Sequence, residues 1–144
     1  DLISYNEYFG WYYVTFFTDQ MMISEGTLRQ LMFEVMPKIK ISSIFDKPIH
    51  ISEFGAGAKY GNHTNKIWSE EYQAKLYKHQ LEMLSNNPQI QGISPWVFKD
   101  FRAMLRPLPG IQDFYNRKGL IDENGNKKEA FEVLADFYEN KWHK

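Results

Sequence analysis

Glu53 closes the short apolar run Ile49-His50-Ile51-Ser52-Glu53-Phe54-Gly55, and 43 residues later Trp96 stands at the tip of another, Gly92-Ile93-Ser94-Pro95-Trp96-Val97-Phe98. Both positions read as the C-terminal end of a buried strand, about one β/α unit apart. β/α barrels gather reactive groups at that face, because strands fix positions while the following loops vary. A carboxylate there can attack or stabilise an anomeric carbon, and an indole can stack on a pyranose ring. Glycoside cleavage needs two carboxyl groups across the scissile bond; in retaining enzymes one is the nucleophile and the other acts as acid, then base. A strand-end Glu that pairs with Lys or Arg, or caps a loop, is the structural alternative for Glu53.

Other chemistry finds little support. His50, His63, His79 and His143 lack the His-Glu-x-x-His or any comparable ligand spacing, so neither a metal nor another cofactor is expected. His50 alternates with Ile49 and Ile51 as a packed strand residue would, and His63, in the loop after the second strand, suits a surface role or a contact with substrate. No Gly-rich phosphate loop is present; Gly55, Gly57 and Gly61 fit a loop that needs unusual backbone angles.

Three strand–loop–helix repeats position these groups. A strand over Leu2–Tyr5 is followed by a loop, Asn6–Asp19, and a helix over Glu25–Ile41 with Leu28, Leu31, Met32, Val35, Met36 and Ile39 at helical spacing. The second strand, Ile49–Ser52, leads through a loop to a helix capped by Ser69, with Glu70 and Glu71 in its first turn, where carboxylates suit the helix dipole. Ala74, Tyr77, Leu81 and Leu84 give it one apolar face, and Asn86-Asn87-Pro88 stops it. The third strand, Ile93–Phe98, opens a long loop to Gly119, and Phe131, Leu134, Ala135 and Tyr138 share a face of the last helix. Such alternation implies α/β architecture with parallel strands and crossover helices.

The 144 residues, 43% of them hydrophobic, can bury a core, yet a whole eight-stranded barrel takes roughly 250 residues. Three units cannot close a barrel, so the chain reads as a fragment. Its missing strands are supplied by another chain or by the rest of the polypeptide, the missing N-terminal part of the same enzyme. The net charge of −1 speaks against a nucleic-acid partner, and no apolar stretch is long enough to suggest membrane insertion. Zero cysteines exclude disulfides and thiolate chemistry without fixing a compartment.

Several motifs together resemble glycoside hydrolase family 2, and within it the C-terminal part of the β-glucuronidase barrel. Asn6-Glu7-Tyr8-Phe9-Gly10-Trp11-Tyr12 is similar to the family's Asn-x-Tyr-Tyr-x-Trp-Tyr segment, Ser52-Glu53-Phe54-Gly55 to its nucleophile segment, and Ile67–Gln73 to the opening of the following helix. Trp96-Val97-Phe98-Lys99-Asp100-Phe101 resembles the Trp-x-Phe-x-Asp-Phe that ends the last strand. Asn116-Arg117-Lys118-Gly119 resembles the Asn-x-Lys motif that holds the C6 carboxylate of glucuronate; an amide and an ammonium converging on an anion make the stronger, charge-assisted hydrogen bonds.

The resemblance implies the last three β/α units of a TIM (β/α)8 barrel, and a retaining hydrolase of terminal β-D-glucuronides that works as a homo-oligomer when intact. It implies Glu53 as the nucleophile, Asn6, Tyr8 and Tyr12 near the sugar, Trp96 as the floor of the site, and Asn116 and Lys118 on the uronate. Core packing suits Trp11 as well as a ligand role. Glu7 lies 46 residues before Glu53, whereas related families set the acid/base about three units before the nucleophile. Glu7 is therefore read as a loop residue and the acid/base as lying upstream. Gln112 stands four residues before Asn116, where some glucuronidases carry Arg. A β-galactosidase of the same family remains an alternative, as does a non-catalytic sugar-binding or structural fragment.

Overall fold

The computed structural model describes residues 1–12 and 25–140, in two compact units. One comprises residues 1–54 and 79–94, the other residues 55–78 and those from 95 onward. The expected Asn6–Asp19 loop beyond Tyr12, and His143, lie outside the described residues.

The first unit holds a three-stranded sheet, β1 (Ile3–Asn6), β2 (Ile49–Phe54) and β3 (Ile90–Pro95), in that spatial order. β1 and β2 run parallel, as the alternating pattern implies. Ile3 faces Ile49, Ser4 faces His50 and Tyr5 faces Ile51; the register then slips, so that Asn6 faces Glu53. The in–out alternation of β2 breaks at the same place: Ile49, Ile51 and Phe54 are buried, while Ser52 and Glu53 are both half-buried. Such irregularities re-aim side chains at strand ends. β2 therefore extends two residues beyond the expected end, and Glu53 sits inside the strand.

Proline sets two other boundaries. The first helix, α1 (Glu25–Val35), gives way to a 3₁₀ turn over Met36–Lys38, short of the expected Ile41. Pro37 lacks an amide hydrogen and its ring collides with the preceding turn. The buried stripe of α1 is narrower than the periodicity implied. Leu28, Phe33 and Met36 are buried, but Leu31 and Val35 are 51% and 43% exposed. β3 begins three residues early, at the buried Ile90, and ends at Pro95, which cannot donate to a further ladder bond. Trp96, Val97 and Phe98 consequently follow the strand. His50 packs as expected, its Nε2 lying 2.9 Å from Ser94 Oγ.

The second helix, α2 (Glu70–Ser85), contributes to both units. Ser69 caps it, accepting the Tyr72 amide at 3.2 Å, and Glu70 and Glu71 occupy the first turn as expected. In the second unit a short antiparallel pair, β4 (Phe101–Arg102) and β5 (Tyr115–Asn116), precedes α3 (Glu129–Asn140). α3 buries Ala130, Leu134 and Phe137; of the expected face only Leu134 is buried, Phe131 and Ala135 are half-buried and Tyr138 is exposed. Among the described residues no helix is long and apolar enough to cross a membrane.

A buried ion cluster organises this second unit. The Lys128 ammonium, fully buried, lies 2.8 and 3.0 Å from the two oxygens of Asp100 and also donates to the Ala58 and Arg117 carbonyls. Asp100 also accepts from the Arg117 guanidinium at 3.2 Å and the Gly119 amide at 2.8 Å. Burial pushes the Asp100 carboxyl up and the Lys128 ammonium down, and their mutual attraction opposes both shifts. Removing one member of a buried pair strands the other. We expect Lys128→Met to destabilise the protein by about 3 kcal/mol or more in urea unfolding. Asp100→Asn combined with Lys128→Met should cost less than the sum of the single changes; additive losses would show that the two are not coupled.

Candidate active site

Around Glu53 the first unit brings together most of the groups that the β1 motif named. The Tyr8 hydroxyl donates to Glu53 Oε2 at 2.8 Å, and the Glu7 amide donates to the Glu53 carbonyl at 2.7 Å. Asn6, opposite Glu53 in the register, accepts from the Ser52 hydroxyl at 2.9 Å. The rings of Tyr8 and Tyr12 meet edge to face, with centroids 5.1 Å apart, and Tyr12 is exposed. Trp11 is buried, in keeping with a packing role. A carboxylate with one oxygen held by a phenol, beside exposed aromatic surface, has the makings of an oriented nucleophile.

The turn that carries Tyr8 is tightly built. The Trp11 amide closes it on the Tyr8 carbonyl at 3.0 Å, and Gly10 takes φ +91°, an angle that glycine adopts without penalty. The Phe9 carbonyl accepts from Gln80 Nε2 at 3.1 Å, and the Phe9 amide donates to Glu7 Oε1.

Glu7 is in the loop after β1, as expected, but it is no ordinary loop residue. It is 8% exposed, and its Oε2 has no hydrogen-bond partner among the described residues. Burial pushes its carboxyl up to about 7, with the Phe9 amide pulling the other way. Composition and spacing gave no sign of this, because burial of one loop side chain depends on what packs over it.

In the second unit Trp96 is half-buried and edge-on to Phe101, with centroids 6.3 Å apart; the Trp96–Val97 peptide is cis. Asn116, Arg117 and Lys118 are all buried, so this basic segment is not a solvated loop. The Asn116 side chain accepts the Lys118 amide at 3.1 Å, and the Lys118 carbonyl accepts the Val97 amide at 3.0 Å. Arg117 serves the structure of the loop, because it bridges Asp100 and Glu123 and lies 4.5 Å over the Tyr115 ring. Gln112 is buried as well. Gly55 and Gly61 take positive φ as the loop composition suggested, whereas Gly57 does not.

The fold also assembles a cluster that sequence spacing could not show. His63 Nδ1 lies 3.0 Å from Glu71 and 3.5 Å from Glu129, and ligand atoms of the three lie within 4.8 Å of one another. His63 and Glu129 are exposed. The contacts describe a surface cluster of one imidazole and two carboxylates.

No family model matches the chain. A β-glucuronidase of Streptococcus agalactiae is 30% identical over 132 residues, which is 90% of this chain and 20% of that protein. The crystal structure of a family 2 β-galacturonidase from Eisenbergiella tayi, bound to galacturonate, superposes with a TM-score of 0.70 at 30% identity, covering 98% of this chain and 24% of the other. The chain matches a segment of the glycoside hydrolase family 2 uronic-acid glycosidases. It spans a fifth or less of the curated relatives' length. The Ruminococcus gnavus β-glucuronidase structure, 24% identical with a TM-score of 0.75, shares the mixed α/β fold.

The state of Glu7 has a measurable consequence. Its carboxyl is pushed up to about 7 from an ordinary value of 4.5, so the folded state favours the protonated form. Its burial therefore carries no ionisation penalty below pH 4.5, where it is protonated folded and unfolded. Stability is lost as pH rises to about 7 and stays flat above that. The span amounts to roughly 3 kcal/mol. Urea midpoints measured from pH 4.5 to 8 should fall with pH in the wild type and fall much less in Glu7→Gln. Parallel curves for the two proteins would refute the assignment.

Proposed function

We propose that residues 1–144 form the C-terminal segment, about the last three β/α units, of a TIM (β/α)8 barrel that hydrolyses terminal β-D-glucuronides with retention of configuration. The parallel β1–β2 pairing and the similarity to family 2 segments support the barrel reading. The hydrogen bond from Tyr8 to Glu53, at the end of that pairing, carries the catalytic reading.

In this mechanism Glu53 attacks the anomeric carbon and forms a glycosyl ester, while a carboxylic acid from an upstream segment protonates the leaving oxygen. That second carboxyl group then activates water, which releases the sugar and regenerates Glu53. Tyr8 holds one carboxylate oxygen and so limits the orientations the other can take. Asn6 and Tyr12 line the sugar site beside the nucleophile, and Trp96 offers an indole face to the pyranose. Asn116 and Lys118 bind the C6 carboxylate, a role the Asn-x-Lys spacing supports. The S. agalactiae relative is a β-glucuronidase and the E. tayi enzyme a β-galacturonidase, which favours a uronic acid and makes galacturonide the second substrate to try.

Glu53→Gln in the intact enzyme should fold normally, bind activated glycosides and lose turnover, since the amide keeps the shape but cannot form the ester. Near-normal kcat in that variant would remove Glu53 from the mechanism. Nitrophenyl glucuronide, galacturonide, galactoside and glucoside, assayed with wild type, Asn116→Ala and Lys118→Ala, test the substrate. Losing one partner of a charge-assisted pair should lower kcat/KM on the uronides by roughly 30-fold or more and leave the neutral glycosides little changed. Equal losses on all four would make the loop structural.

A further inference from the structure

We propose that Glu7 is a positioning residue for the nucleophile: its side chain folds back onto the Phe9 amide and thereby fixes the Tyr8 hydroxyl against Glu53 Oε2. The proposal rests on the reading of Glu53 as the nucleophile.

Three observations lead to it. First, the Glu7 main chain is tied to the residue that matters, because its amide donates to the Glu53 carbonyl at 2.7 Å. The origin of the Tyr8 segment is thus fixed relative to the carboxylate. Second, the residue after Tyr8 is held at both polar groups of its backbone. The Phe9 amide donates to Glu7 Oε1, and the Phe9 carbonyl accepts from the buried Gln80. With the Trp11 amide on the Tyr8 carbonyl, the turn leaves the phenol little freedom except through its own side-chain torsions. Third, the arrangement is unfavourable for folding taken alone. Glu7 is buried, its Oε2 is unpartnered among the described residues, and desolvation penalises its charged form. The Tyr5 phenol, which burial and the Glu7 charge both push up, supplies no cation to relieve it. A short polar side chain can close an i to i+2 turn without burying a carboxyl group. Strain and unsatisfied groups concentrate where function over-determines the local structure.

The test separates stability from chemistry, in the full-length enzyme. Glu7→Leu removes the buried carboxyl group, so the melting temperature should hold or rise. The same change frees the Phe9 amide, and kcat on nitrophenyl glucuronide should fall about ten- to a hundredfold with KM little altered, because small misplacements of reacting groups carry penalties of that size. Glu7→Gln keeps an oxygen acceptor for Phe9 and should hold kcat within about threefold of wild type. In a Tyr8→Phe background, Glu7→Leu should cost less than about twofold, since the phenol it positions is gone. If leucine prevents folding, Glu7→Met takes its place in the same comparisons. Wild-type kcat in folded Glu7→Leu, equal losses in Leu and Gln, or an undiminished loss in the Tyr8→Phe background would each overturn the proposal. Glu53→Gln run alongside distinguishes the two readings. If it retains turnover, the nucleophile assignment fails, whereas a dead Glu53→Gln with normal Glu7→Leu sinks only the positioning role.

Discussion

A carboxylate shut away from water must find its hydrogen bonds and its counter-charge inside the protein, and Asp100 finds them in residues that are distant along the chain. Lys128 comes from the turn before α3, Arg117 from the segment after β5, and the Gly119 amide from the end of the long loop. Lys128 adds the Ala58 and Arg117 carbonyls to the same knot. There is little room around it: a Cβ on Gly119 would run into the Asp100 amide and the Ile121 carbonyl. Buried ion pairs are not a general source of stability, since desolvation offsets much of their attraction. What they impose is geometry, because each charge must be satisfied in one arrangement. Here that arrangement fixes the backbone of residues 116–119, most of which lies outside regular secondary structure.

The consequence reaches the proposed uronate-binding pair. Asn116 and Lys118 flank Arg117, and Arg117 is the member drawn into the ion cluster. The Lys118 carbonyl also holds the Val97 amide, next to Trp96. A three-residue stretch therefore divides its labour. Its central side chain anchors the loop in the protein, and its outer two carry the motif associated with substrate. Removal of the anchor and removal of a binding residue are different experiments, even though the positions are adjacent.

Around Glu53 the physics runs the other way. Among the described residues Glu7 has no cation beside it to match its buried carboxyl group, and one of its oxygens lacks a partner. The local slip in register between β1 and β2 is a second departure from ideal geometry, and it falls at Asn6 and Glu53 themselves. A regular strand would have kept the in–out alternation through Ser52 and Glu53. Both departures lie within a few residues of the proposed nucleophile, where orientation outweighs economy of folding.

Much of this was legible in the residue order. The strand–loop–helix alternation, the Ser69 cap, the apolar face of α2 and the parallel β1–β2 pairing follow from local patterns, because side-chain periodicity and capping chemistry act within a few residues. The motifs singled out Tyr8 and Glu53 separately; that their side chains meet at 2.8 Å is a product of the fold. Strand and helix ends were less well placed: Pro95 and Pro37 stop elements for reasons visible in the sequence, but the apolar runs continue past them. What the sequence could not contain was burial. Leu31 and Val35 fit the helical stripe of α1 and yet face outward, while Glu7, Asn116 and Lys118 are polar and yet enclosed. Nothing in their identity or spacing distinguishes these cases, because burial is decided by residues far away in the chain. Burial pushes the Glu7 carboxyl up to about 7 because the folded chain removes water from around it, and Lys128 pairs with Asp100 because the fold brings them together from 28 residues apart.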